Sequence, residues 1–168
     1  YLAQQAADSI GRLSREDRPF FLTCGFWGPH APFYIPEPYY SMYDDADIEP
    51  WPNFDCETAD KPAVLEQYAR YWHTDWITDD AIRRIVDALE DAGELDRTLI
   101  LFTSDHGSSV GAYRIWDKGF GMYDCITRVP FIASHPSLTP RESDAFISLL
   151  DIAPTILDLA GCGSCSQH

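Results

Sequence analysis

The sequence predicts an α/β fold: a mainly parallel sheet flanked by helices. Three observations carry that reading. Compact apolar runs at 20–26, 98–103 and 129–134 have the length and the aromatic or β-branched content of buried strands. Segments with apolar residues at helical spacing precede, separate and follow these runs. The resulting order is helix, strand, helix, strand, strand, helix, as in α/β domains, where ligands bind beyond the carboxyl ends of strands.

Each element has a local justification. Leu2, Ala6, Ile10 and Leu13 form one stripe of a helix over 2–13, which stops at a charged stretch before Pro19. Residues 27–63 hold seven of the twelve prolines and read as a long irregular excursion, ordered by its aromatic side chains. A long helix over about 63–92 follows, with Tyr68, Tyr71, Trp72, Ile82, Ile85, Val86 and Leu89 on its apolar face and Gly93 as its C-cap. Asp75 and Asp79 lie beside that face and are expected to bond to backbone or to an arginine at its edge. The run at 98–103 is continuously apolar, as in a strand covered on both faces. Pro130 fits only at the start of the strand at 129–134. Asp151 caps a last helix through Ala160, with Pro154 in the first turn and Gly161 past the end.

Composition excludes several classes. The 168 residues carry 27 acidic and 12 basic side chains, a net charge of 12 − 27 = −15. Such a field repels nucleic-acid phosphate, so no nucleic acid is expected as a partner. Aromatics at 14% argue against a disordered chain. No apolar run approaches the roughly 20 residues of a membrane span. The first ten residues do not read as an intact secretion signal, and compartment and oligomeric state stay open. Lys61 and Lys118 are the only lysines beside ten arginines, which suits either a salt-adapted host or an ordinary acidic protein.

Five cysteines cannot all pair within the chain. Cys24 and Cys125 sit in apolar surroundings and are expected as buried small hydrophobes. Cys162 and Cys165 form a CxxC with His168 nearby, but the fourth ligand of a zinc site is not visible in the sequence.

Three places carry chemistry. Asp105-His106-Gly107 stands at the exit of the strand at 98–103. A carboxylate oxygen and an imidazole nitrogen there suit a divalent cation, while a capped turn explains the same residues. His30 lies in Gly28-Pro29-His30-Ala31-Pro32, stiffened by two prolines after the first strand. It reads as a general acid or anion donor, or as a surface histidine. Lys118, in Trp116-Asp117-Lys118-Gly119, offers a compact ammonium for a sulfate or phosphate oxygen, or is an incidental surface lysine.

Their order along the chain resembles the sulfatase family of the alkaline phosphatase superfamily. The blocks are PFFL…GPHAPF, then DALEDAGELDRTLILFTSDHG, then WDKGFGMYDCITRVPF, then SLLDIAPTILDLAG. They span nearly the whole chain, and SDHG with WDKG looks closest to the choline-sulfatase and phosphonate-monoester-hydrolase branch. The resemblance implies an alkaline-phosphatase-like partial domain: residues 1–161 as the downstream part of a catalytic domain, and 162–168 as a truncated tail. It implies sulfate-ester hydrolysis by a formylglycine nucleophile upstream of this chain, since no C/S-x-P/A-x-R motif occurs here. Asp105 and His106 match metal ligands, Lys118 the lysine that holds sulfate or phosphate oxygens, and His30 the histidine near the leaving-group oxygen. Calcium is the expected metal, with manganese or zinc as alternatives. The expected substrate is a small-molecule or glycan sulfate ester.

Departures from the branch are Ser108 in place of an acidic residue, Gly111-Ala112-Tyr113-Arg114 in place of a GDHG-like stretch, and Arg83 in place of a helix glycine. They bear on substrate identity. The alternatives are a phosphomonoester, phosphodiester or phosphonate hydrolase, and a non-catalytic pseudoenzyme or binding fragment. The isolated chain is expected to be inactive.

Overall fold

A computed structural model describes residues 1–28, 30, 36–41, 78–109, 118 and 122–162. The described elements are helix α1 (Leu2–Leu13), helix α2 (78–91), strand β1 (Ile100–Thr103), the single turn α3 (Asp124–Thr127), strand β2 (Phe131–Ser134) and helix α4 (Ile152–Leu159). Short 3-10 turns at Leu95–Arg97 and Leu149–Asp151 lead into β1 and α4.

Helix α1 occupies the expected span, but its inward stripe is shifted. Ala3, Ala6 and Ile10 are buried, whereas Leu2 is exposed. Ile10, 1% exposed, supplies most of the apolar mass of this stripe. Complete burial of such a side chain is worth about 1.5–3 kcal/mol. Beyond the helix, Glu16 collects Arg12 at 3.7 Å and Arg18 at 2.6 Å, which ties down the charged stretch before Pro19.

Residues 20–26 alternate between half-buried and exposed, the period of a strand with one covered face. They pair with no strand among the described residues, so the strand expected there is not formed among them. The physical reason is that a strand is defined by its partner as much as by its own pattern. The alternation also corrects the expectation of full burial: Phe21 is 68% exposed and Cys24 half-buried. Burial still pushes the Cys24 thiol pKa up.

Helix α2 buries Ala81 and Leu89, with Ile82, Ile85 and Val86 half-buried on the same side. Tyr68, Tyr71, Trp72 and Asp75, expected in the first half of this helix, lie outside the described residues. Both expected glycine caps are present, with φ of 69° at Gly93 and 68° at Gly161. Glu94 N–H donates to Leu89 O and Cys162 N–H to Leu157 O, the six-residue closure that a left-handed glycine permits.

Strands β1 and β2 pair antiparallel, with Ile100 opposite Ser134 and Thr103 opposite Phe131. The α/β class stands, and the one strand pair among the described residues is antiparallel. Strand direction is set by how the chain returns, and here β2 lies alongside β1 in the opposite sense. β1 is half-buried throughout instead of fully covered, and Ile132 of β2 is exposed.

Helix α4 begins differently from expectation. Asp151 precedes it but makes no side-chain bond to its first turn. Its carboxylate instead accepts from Ser148 N–H at 2.7 Å, and Ser148 Oγ accepts from Leu150 N–H, a capping box around the preceding 3-10 turn.

One long-range tether holds the turn at 36–41 against α2. Tyr39 Oη donates to Asp80 Oδ2 at 2.9 Å. The same carboxylate accepts from Arg83 and, at 3.1 Å, from Arg84. The acid expected at the helix edge was Asp79; the one that pairs with arginine is Asp80. These donors, Arg83 first, lower the Asp80 pKa from 3.8 to about 2, and the hydrogen bond to Asp80 raises that of Tyr39. A carboxyl held below its unfolded value stabilises fully above that value and loses its effect as pH falls through the folded one. The tether should therefore be complete above pH 3.8 and weaken as pH drops toward 2. Tyr39→Phe should lower the thermal midpoint at pH 6, and the difference from wild type should shrink between pH 4 and pH 2. A pH-independent difference, measured by circular dichroism, would contradict this account.

Candidate functional site

The site grows from the carboxyl end of β1. Ser104 Oγ donates to His106 O at 2.9 Å and folds the chain back immediately after Thr103. That turn lets adjacent side chains converge, where strand backbone would point them apart. Asp105 Oδ1 accepts from His106 N–H at 2.9 Å, and Oδ2 lies 3.6 Å from His106 Nε2.

Gly107 sets how closely this turn approaches α3. Its N–H donates to Ile126 O at 2.8 Å. A Cβ at this position would lie 2.2 Å from Cys125 O, so only glycine fits against that backbone. Two residues on, Ser109 is 1% exposed, and Cys125 Sγ donates to its hydroxyl at 3.8 Å. Cys125 is half-buried, so it is less enclosed than its apolar surroundings in sequence suggest.

His106 is held at both ring nitrogens. Nδ1 lies 3.0 Å from Gly107 O, and Nε2 lies 3.1 Å from Lys118 Nζ. A carbonyl can only accept, so Nδ1 carries the proton. An ammonium can only donate, so Nε2 presents its lone pair. Both contacts specify the same tautomer, the one that ligates a metal through Nε2 while the other nitrogen is steadied by a carbonyl. Asp105 adds a hard anionic oxygen beside it, on a side chain that is 83% exposed. This donor set fits part of a divalent-cation site. Among the described residues, no cluster of three or more His, Cys, Asp or Glu completes it.

Thus the structure brings Asp105, His106 and Lys118 together. His30 stands on the turn after the 20–26 segment. His30 N–H donates to Trp27 O at 3.0 Å, and its ring tilts over the indole with centroids 4.8 Å apart. Ser104, Ser109 and Cys125 shape the site and were not singled out from sequence for it. Ser109 has no motif signal, because its burial comes from α3, fifteen residues further on. Cys165 and His168 of the CxxC segment lie outside the described residues, as does Cys56, and Cys162 is exposed.

A sulfatase family model matches residues 1–162. The chain belongs to the sulfatase family. It is 34% identical to an arylsulfatase of Clostridium perfringens over 91% of its own length, and 27% identical to a choline-sulfatase of Rhizobium meliloti over 96%. The fold matches the crystal structure of the yidJ protein of Bacteroides fragilis with a TM-score of 0.84, at 28% identity over 94% of this chain and 36% of that one. It also matches the phosphonate monoester hydrolase of Agrobacterium radiobacter with a TM-score of 0.77, at 29% identity over 95% of this chain and 38% of that one. Relatives from both halves of the expected branch are therefore present, and the alkaline-phosphatase-like α/β fold is shared. The sulfatase chain described here spans about a third of the length of the curated relatives it matches, 37% of the arylsulfatase and 36% of the choline-sulfatase.

The Gly107 contact makes a direct test of this architecture. Gly107→Ala should force the turn off α3, costing about 1–3 kcal/mol as other overpacked sites do. Chemical denaturation compares the two proteins. An unchanged midpoint would show that the close approach to Cys125 does not constrain the site.

Proposed function

We propose that these residues form the downstream part, 1–161, of the catalytic domain of a metal-assisted sulfuric ester hydrolase. The observation that carries this reading is the convergence of Asp105, His106 and Lys118 at one strand exit, with the His106 lone pair at Nε2. Asp105 and His106 would hold a divalent cation, calcium first and manganese or zinc as alternatives. When bound, such a cation polarises an oxygen of the anionic group. Lys118 supplies an ammonium for the remaining anionic oxygens, where charge accumulates during transfer. His30 binds the same anion and gives a proton to the departing alcohol oxygen. The nucleophile in this reading is a formylglycine on chain upstream of these residues, and the substrate is a small-molecule or glycan sulfate ester.

Met122, Phe146 and Leu150 expose 88%, 106% and 83% of their surface, and apolar area of this kind marks a face that packs against something.

In the full-length protein, Lys118→Ala and His30→Ala should each lower aryl sulfate turnover by about 10²-fold or more. Residues 1–168 alone should give no turnover with added calcium or manganese. Wild-type rates in the variants, or turnover by the isolated chain, would remove the assignment.

A specific observation favours a second reading, a phosphate-ester or phosphonate hydrolase. The imidazole Nε2 suits manganese or zinc better than calcium, and the matched phosphonate monoester hydrolase has the same fold. Turnover of phenyl phosphonate monoesters above that of aryl sulfates would favour it; the reverse order supports the sulfatase reading.

A further inference from the structure

We infer that Lys118 and the divalent cation compete for one lone pair, Nε2 of His106, so that loading the cation delivers the lysine to the anionic substrate. This rests on the metal-site reading above. Lys118 Nζ stands 3.1 Å from Nε2, while the Nδ1 proton is committed to Gly107 O at 3.0 Å. An imidazole nitrogen has a single in-plane lone pair. It accepts the ammonium hydrogen bond or binds a cation, and cannot do both. A divalent cation sits about 2.0–2.6 Å from its ligand atoms. That is inside the space that the donated N–H now occupies. Asp105 Oδ2, 3.6 Å from Nε2, lies where it can share the incoming ion.

The exchange needs no rearrangement of the ring. Lys118 already holds the imidazole in the ligating tautomer, so the cation meets a prepared nitrogen. The displaced ammonium then stands beside a divalent charge and is repelled by it. Its flexible four-carbon stem lets it swing, and an anionic ester group is the ligand that offsets that repulsion. Cation and anion binding are thereby coupled in the favourable direction, and the coupling is reciprocal. The lysine keeps the site from binding anions through His106's neighbour until the cation is in place.

The test is Mn²⁺ binding to the metal-stripped full-length protein, with free Mn²⁺ counted by electron paramagnetic resonance. Lys118→Met should bind Mn²⁺ at least tenfold more tightly than wild type. In a His106→Gln background the same substitution should change affinity by less than twofold, because the contested lone pair is gone. Equal or weaker binding by Lys118→Met overturns the proposal, as does a gain that persists undiminished beside His106→Gln, which would reflect charge alone. The underlying metal-site reading fails separately, if Asp105→Asn and His106→Gln both bind Mn²⁺ as wild type does. A second measurement uses wild-type protein. Lys61 serves as an internal reference for amine labelling. Mn²⁺ should raise the labelling of Lys118 relative to Lys61, and an unchanged ratio overturns the exchange.

Discussion

The contact on which the site depends is the approach of Gly107 to the backbone of α3. A side chain as small as a methyl group would meet Cys125 O at 2.2 Å. The absent Cβ lets Gly107 N–H reach Ile126 O, and that bond fixes the strand exit against the turn that follows. Everything polar at the site hangs from this junction. Ser104 closes the turn from one side, Ser109 is buried on the other, and the Gly107 carbonyl dictates the tautomer of His106. A backbone–backbone contact is well suited to this task, because it has no rotamer freedom to lose.

Charge works in two ways on this molecule. The net charge of −15 creates a field that repels anionic ligands. Against that background Lys118 is a local exception, and its ammonium is directed at His106. Asp80 shows the opposite use. One carboxylate gathers Tyr39, Arg83 and Arg84, and so binds the turn at 36–41 to α2 across forty-one residues. Arg83, which looks from sequence like a departure from the family's pattern, is part of what holds the segment after His30.

Local signals were legible where they concern a single element. The span of α1, the left-handed glycines after α2 and α4, and the apolar run of β1 were all readable from spacing and residue type. The motif order also identified the family and pointed to Asp105, His106 and Lys118. Partnership was not legible. The alternating residues 20–26 look like a strand, yet no described neighbour pairs with them. Asp151 looked like the cap of α4 and instead caps the turn before it. Two acids lie side by side at 79 and 80, and only the fold decides that Asp80 is the one facing Tyr39 and the arginines.

By itself, the sequence determined the α/β class, the spans of α1, β1, β2 and α4 to within a few residues, and the residue types that could hold an anion and a cation. Those properties follow from short-range sterics and from the chemistry of individual side chains. Only the tertiary structure decided that β1 and β2 run antiparallel, and that Gly107 is pressed against Cys125. It also brought Lys118 onto Nε2 of His106 across twelve residues. Such contacts depend on how the intervening chain returns, and no local pattern encodes that path.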